Sequence, residues 1–142
     1  MGSIRVADAM STRPITVPRH MPLDECARVM KRHDVGSVIV GANSVFIGLV
    51  TEQQIVHTVI AQGEDPTQLT VADVMATDVL TIPPNLDLSD AMRLMTKHRT
   101  RHLPVVENTK LVGFLTIKDL LAIQPTLIDI FTEKARLQEE QL

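Results

Sequence analysis

Two quartets in this chain carry side chains that could do chemistry. Thr116-Ile117-Lys118-Asp119 sets a hydroxyl and a carboxylate three residues apart, directly after a β-prone apolar run. At a strand-to-helix junction such a pair forms a capping box, in which the two side chains satisfy backbone N–H groups at the helix start. The same groups also suit a nucleotide. A carboxylate accepts hydrogen bonds from both cis-hydroxyls of a ribose, at roughly 1.5–3 kcal/mol for each charge-assisted bond. The Thr hydroxyl and the N–H groups at a helix start suit a phosphate. Thr51-Glu52-Gln53-Gln54 meets the capping pattern equally well, but its amide forfeits the charge assistance. Capping alone accounts for both quartets, so the structural and the binding readings both stand.

Arg101-His102 is a second candidate: either a solvated strand start or a cationic pair facing phosphates, for which a guanidinium is suited. Thr16 and Thr81 are small polar residues inside apolar runs. His33 and His98 fall at equivalent helix ends, where a His interacts favourably with the helix C-terminus. His20 and His57 have no partner at metal-ligand spacing, and Cys26, Met30, Met92 and Met95 read as core. No nucleophile–base pairing, paired-carboxylate constellation or metal cluster is present in the sequence, so neither catalysis nor a metal centre is expected.

The elements that position these residues occur twice. Val6-Ala7-Asp8-Ala9-Met10-Ser11-Thr12 lines up with Val71-Ala72-Asp73-Val74-Met75-Ala76-Thr77. The same offset of 65, with no gap, pairs Thr16 with Thr81, His33 with His98, Gly48 with Gly113 and Thr51 with Thr116. Each copy reads as strand, helix, strand, strand, helix. In copy one, Leu23, Cys26, Ala27 and Met30 recur at helical spacing after the β-prone Ile15-Thr16-Val17. Ser37 to Gly41 and Val45 to Thr51 read as strands around a turn at Ala42-Asn43-Ser44, and Glu52 to Ile60 as a helix. Copy two repeats this from Leu80-Thr81-Ile82 through a helix bearing Leu88, Ala91, Met92 and Met95, two strands around Glu107-Asn108-Thr109, and a helix from Ile117. At Arg101-His102 and Asp119 the copies diverge, having Gly36-Ser37 and Gln54 at the matching positions.

The repeats are assigned to residues 4–61 and 70–123, with a linker over 62–69. About 60 residues with one short sheet bury too little apolar surface to fold alone. The expected fold is therefore one α/β (α+β) unit, with two halves packed sheet to sheet about a pseudo-twofold and clefts at the seam. Residues 124–142 read as an amphipathic C-terminal helix after a break at Pro125, and its roughly 15 helical residues require a partner surface.

The chain has 142 residues, 44% of them hydrophobic, and a net charge of −3 with its cations dispersed. That balance argues against a nucleic-acid or anionic-membrane partner. Three Phe and no Trp or Tyr leave little surface for stacking bases. No apolar run approaches the roughly 20 residues of a membrane helix. The single cysteine excludes intramolecular disulfides, and the expected compartment is the cytosol.

Each copy resembles a CBS (cystathionine-β-synthase) domain, and the pair a Bateman module. The residues that carry the likeness are the doubled Val-Ala-Asp-x-Met, the Thr-x-Pro strand ends, Arg101-His102-Leu103-Pro104-Val105-Val106, and Gly-x-x-Thr-x-x-Gln/Asp at 48–54 and 113–119. The resemblance implies binding of AMP, ADP, ATP or S-adenosylmethionine between the halves and frequent homodimerisation; the function expected from it is a reversible sensor that signals to a partner protein. It assigns the phosphate and ribose roles to Thr116 and Asp119, and base contacts to Leu80, Thr81 and Ile82. Arg101 and His102 are expected near the phosphates, in the motif that also holds Pro104. A second, weaker site is expected at Thr16, Thr51 and Gln54. The alternative is a ligand-free interaction module, favoured by Gln54 and by the tail.

Overall fold

The computed structural model describes residues 4–123 and Leu137. The tail helix expected over 124–142 lies outside the described residues, apart from the exposed Leu137.

Two long helices carry the predicted stripes. Helix α2 (Leu23–His33) follows a first short turn, α1 (Val6–Ala9), and buries Leu23, Cys26 and Met30. Asp24 and Glu25 open it and Lys31, Arg32 and His33 close it, each sign matching the helix dipole. Its counterpart α5 (Leu88–His98) buries Leu88, Ala91 and Met95. Both end on a left-handed residue without a glycine, Asp34 (φ 53°) and Arg99 (φ 52°), whose N–H groups close the last turn.

Strand β1 (Thr16–Val17) runs parallel to β2 (Ser37–Ala42), which forms an antiparallel hairpin with β3 (Val45–Thr51). In the second half, β4 (His102–Glu107) and β5 (Lys110–Thr116) form the matching hairpin. The sheet order is β1-β2-β3-β5-β4, and the two hairpins are joined through the single pair Val45–Lys110. Leu80-Thr81-Ile82, expected as a strand, contracts to one parallel bridge between Ile82 and Val105. The helix expected from Glu52 to Ile60 starts as α3 (Glu52–Gln54) and widens into a π-helical turn over Ile55–Ile60. There the Thr58 hydroxyl donates to the Gln54 carbonyl at 2.6 Å, competing for the acceptor an α-helical N–H would use. A short 3₁₀ turn (Pro66–Gln68) and α4 (Val71–Val74) lead into copy two, and α6 (Ile117–Ile123) closes it.

Each hairpin turns on two residues with positive φ, Asn43-Ser44 and Asn108-Thr109, as a type I′ turn requires. Thr109 stands at φ 67°, an outlier for a β-branched residue. The left-handed region costs an ordinary residue about 1–2 kcal/mol, and glycine's greater freedom when unfolded returns about 0.5–1 kcal/mol of that. Thr109→Gly is therefore expected to stabilise the protein by about 0.5–1 kcal/mol. A urea midpoint below that of the wild type would contradict this.

The two sequence copies are not the two packing units. Val6, from the start of copy one, is fully buried among Leu88, Ala91, Met95, Leu103 and Leu120 of copy two. Reciprocally, Val71 is buried among Leu23, Cys26, Met30 and Val59 of copy one. Backbone bonds fix the exchange: Val6 N–H donates to the Leu86 carbonyl and Val71 N–H to the Met21 carbonyl, each at 2.9 Å. Beyond the short helices, Ser11 exchanges two 2.9 Å bonds with Phe114, and Ala76 two with Leu49. A third apolar cluster of Ile39, Leu49 and Phe114, with Phe46, Val79 and Leu111, joins the two halves where their sheets meet.

The glycines of β3 and β5 make that exchange sterically feasible. A Cβ on Gly48 would lie 2.9 Å from the Ala76 carbonyl oxygen. One on Gly113 would strike Met10 and lie 3.0 Å from the Ser11 oxygen.

Candidate ligand-binding cleft

A cleft of about 1030 Å³ opens at the seam between the halves. Its walls come from the junctions where β2 and β4 begin and β3 and β5 end, and from the crossing arm Ser11–Ile15. The strand ends carry the chemistry because a strand running into a helix must cap the free N–H groups of the first turn.

Both quartets form these caps, in different ways. Thr116 N–H donates to Asp119 Oδ2 at 2.8 Å, and the Thr116 hydroxyl donates to the same oxygen at 3.2 Å. Asp119 Oδ1 carries no donor among the described residues, so one carboxylate oxygen remains to accept from a ligand. At the other junction Thr51 N–H donates to Gln54 Oε1 at 2.7 Å, and Gln54 N–H donates to Thr51 Oγ1 at 3.2 Å. Gln54 thereby commits its only side-chain oxygen to the cap. The group it leaves wholly free is the NH2, which donates.

Thr116, Asp119, Arg101, His102 and Thr51 all line the cleft. Leu80, Thr81, Ile82, Pro104, Thr16 and Gln54 do not. Ile82 is buried in the second-half core and Leu80 packs against it. Pro104 is buried, its carbonyl accepting from Ile82 N–H at 3.0 Å. Thr16 and Thr81 are exposed, and the Thr16 hydroxyl donates to the Pro14 carbonyl at 3.4 Å. Arg13, Pro14 and Ile15, where the chain returns from the exchanged arm to its own half, line the cleft instead; Ile15 packs on the first-half core and its carbonyl accepts from Ile39 N–H at 2.9 Å. Sequence reasoning missed these three, as well as Glu52 and Lys118. The signal available for the arm was the pair of glycines at 48 and 113, which announces a close backbone approach without naming the approaching segment.

The cleft is locally cationic in an acidic chain. Arg13, Arg99, Arg101 and Lys118 line it against two carboxylates, Glu52 and Asp119. His33, expected only to complement its helix end, also lines it. His102 is half-buried in the cleft, its ring stacked on Phe114 with centroids 5.9 Å apart and planes 11° from parallel. Burial first, and then the Arg101 cation, hold its pKa below the ordinary imidazole value, with Glu52 pulling the other way. His102 Nδ1 lies 3.2 Å from Ser37 Oγ. Those two residues are equivalents in the repeat, 65 positions apart, so their hydrogen bond straddles the pseudo-twofold axis. Among the described residues no group of His, Cys, Asp and Glu could hold a metal ion. None of the described helices is long and apolar enough to cross a membrane.

Comparison with known proteins bears on the family and the fold. The CBS-domain family model matches residues 6–61 and 71–125. The chain is 38% identical over 119 residues to the CBS domain-containing protein YhcV of Bacillus subtilis, covering 84% of each chain. Its fold resembles that of an uncharacterized conserved protein from Pyrococcus horikoshii, with TM-score 0.80 and 28% identity over 85% of this chain and 92% of that one. It also resembles the CBS domain pair of protein MJ0100, solved with 5-methylthioadenosine and S-adenosyl-L-methionine, with TM-score 0.76 and 22% identity over 86% and 96% of the two chains.

Proposed function

This chain belongs to the CBS-domain family, and we propose that it is a regulatory, non-catalytic module that binds an adenosine nucleotide in the cleft beside Asp119. The observation that carries this reading is the asymmetry of the two caps. Asp119 keeps a free carboxylate oxygen for a ribose, whereas Gln54 keeps none. Arg101 and Lys118, on the same wall as Thr116, suit the phosphates of AMP, ADP or ATP. The nucleotide therefore belongs mainly at the repeat-two site. The weaker second site lies on the Thr51 side, with Gln54 and Thr16 standing outside the cleft.

The cationic lining disfavours S-adenosylmethionine, whose sulfonium adds a positive charge. The MJ0100 pair, at its low identity, bears on the fold alone. Occupancy shifts the arrangement of the halves, or of two chains in a homodimer, by differential affinity. The change is then read by a partner protein in the cytoplasm. A ligand-free interaction module is the second reading, favoured because Thr116 and Asp119 already satisfy each other as a cap.

Titration calorimetry on protein shown to be free of ligand separates the two. The nucleotide reading expects AMP, ADP or ATP to bind more tightly than S-adenosylmethionine. No heat from any nucleotide would leave the interaction module as the better account.

A further inference from the structure

We propose that His102 is a proton-linked contact for the anionic part of the ligand, so that filling the cleft takes up a proton and affinity rises as pH falls. The inference rests on the nucleotide reading of the cleft. Three observations lead to it. His102 lines the cleft, half-buried, on the wall that holds Thr116 and Asp119. Its Nδ1 is engaged by Ser37 across the axis, and Nε2 has no partner among the described residues. The Phe114 ring beneath fixes the plane of the imidazole.

Ser37 makes the site tolerant of both charge states. A hydroxyl can donate to Nδ1 when the ring is neutral and accept from Nδ1–H when it is protonated. Protonation therefore breaks no hydrogen bond, and Nε2–H remains a donor in either state. In the cationic state that donor becomes charge-assisted toward a phosphate oxygen.

The surrounding charges set the direction. Arg101, at the start of β4, disfavours a second cation in the empty cleft, and burial does the same. Glu52, at the start of α3, opposes them. Arg99 at the end of α5, Lys118 on α6, Arg13 on the arm and His33 at the end of α2 add positive charge around the cleft, and Asp119 adds negative charge. A phosphate placed among these groups reverses the balance at His102 and raises its proton affinity. Affinity then climbs as pH falls through the bound-state pKa and levels off below the free-state pKa, which lies under the ordinary 6.5.

The test is ATP titration at pH 8 and pH 6 in pairs of buffers that differ in ionisation enthalpy, for wild type and for His102→Gln. Wild type is expected to bind about three- to tenfold more tightly at pH 6, because a ligand that raises the His102 pKa by about one gains at most a tenfold affinity from the proton. Its proton uptake should exceed that of the variant; uptake by the ATP phosphates themselves is common to both proteins. The wild-type His102 ring resonances, assigned by their loss in the variant, should titrate at higher pH with ATP bound. Equal proton uptake in the two proteins, or an unmoved His102 titration, would overturn the inference while leaving nucleotide binding intact. Folded protein that gives no ATP heat at either pH would overturn both.

Discussion

Asp119→Ala is expected to weaken nucleotide binding by about ten- to a hundredfold, the loss of one charge-assisted hydrogen bond of roughly 1.5–3 kcal/mol. Gln54→Ala should leave affinity unchanged, because its only side-chain oxygen already caps α3 and the residue does not line the cleft. Asp119 also has a structural role that the alanine removes, since its Oδ2 accepts from Thr116 N–H. Loss of such a cap costs about 1 kcal/mol of stability. Asp119→Asn separates the effects. It retains a carbonyl oxygen for the cap and loses the charge, so it should melt near the wild type and bind with intermediate affinity. Unchanged affinity in Asp119→Ala would remove the ribose role.

Gly113→Val is expected to have the largest effect on stability, about 3–5 kcal/mol from overpacking and from the two bonds it would break. A side chain there strikes Met10 and crowds the Ser11 oxygen, which receives the Phe114 N–H at 2.9 Å. Displacing that segment also withdraws Val6 from the second-half core. Against a typical total of about 5–15 kcal/mol, such a loss leaves the fold marginal. Gly113→Ala gives a milder and more informative version. Part of its clash is with the flexible Met10 side chain, so Met10→Ala in the same protein should recover part of the loss. At Gly48 the nearest obstacles include the Ala76 carbonyl oxygen, so Met75→Ala should rescue Gly48→Ala less well. Urea denaturation of the single and double variants measures both couplings. Additive losses at Gly113 and Met10 would mean that the arm does not pack as described. Because the arm carries Arg13 to the cleft, Gly113→Ala should also weaken nucleotide binding.

Much of this architecture is visible in the amino-acid pattern because it is local. The stripe of Leu23, Cys26 and Met30 and the pair of Asn-x turns depend on spacing within one element. Setting the copies side by side at a fixed offset distinguishes Asp119 from Gln54 and Arg101-His102 from Gly36-Ser37. The exchange of arms is not visible there, because periodicity says which face of a segment is apolar and not which core receives it. Val6 and Val71 look identical in their own repeats, yet each is buried in the other half. The segment that follows the first arm, Arg13-Pro14-Ile15, lines the cleft, whereas its copy-two equivalent Asp78-Val79-Leu80 does not. The contraction of residues 80–82 to a single bridge and the π-helical turn at Ile55–Ile60 are likewise tertiary outcomes. Ser37 and His102 illustrate the point most directly. The repeat makes them equivalents, but only the symmetry of the folded halves brings them to 3.2 Å.

Where the nucleotide sits can be read from a crystal structure of ligand-free protein soaked with saturating ATP, with electron density compared at the two caps. The expected density is a nucleotide with its ribose on Asp119 Oδ1, its phosphates toward Arg101 and Lys118, and the Gln54 side less occupied. Equal density at both caps, a ribose held by Gln54, or a cleft left empty at saturation would refute an asymmetric nucleotide site.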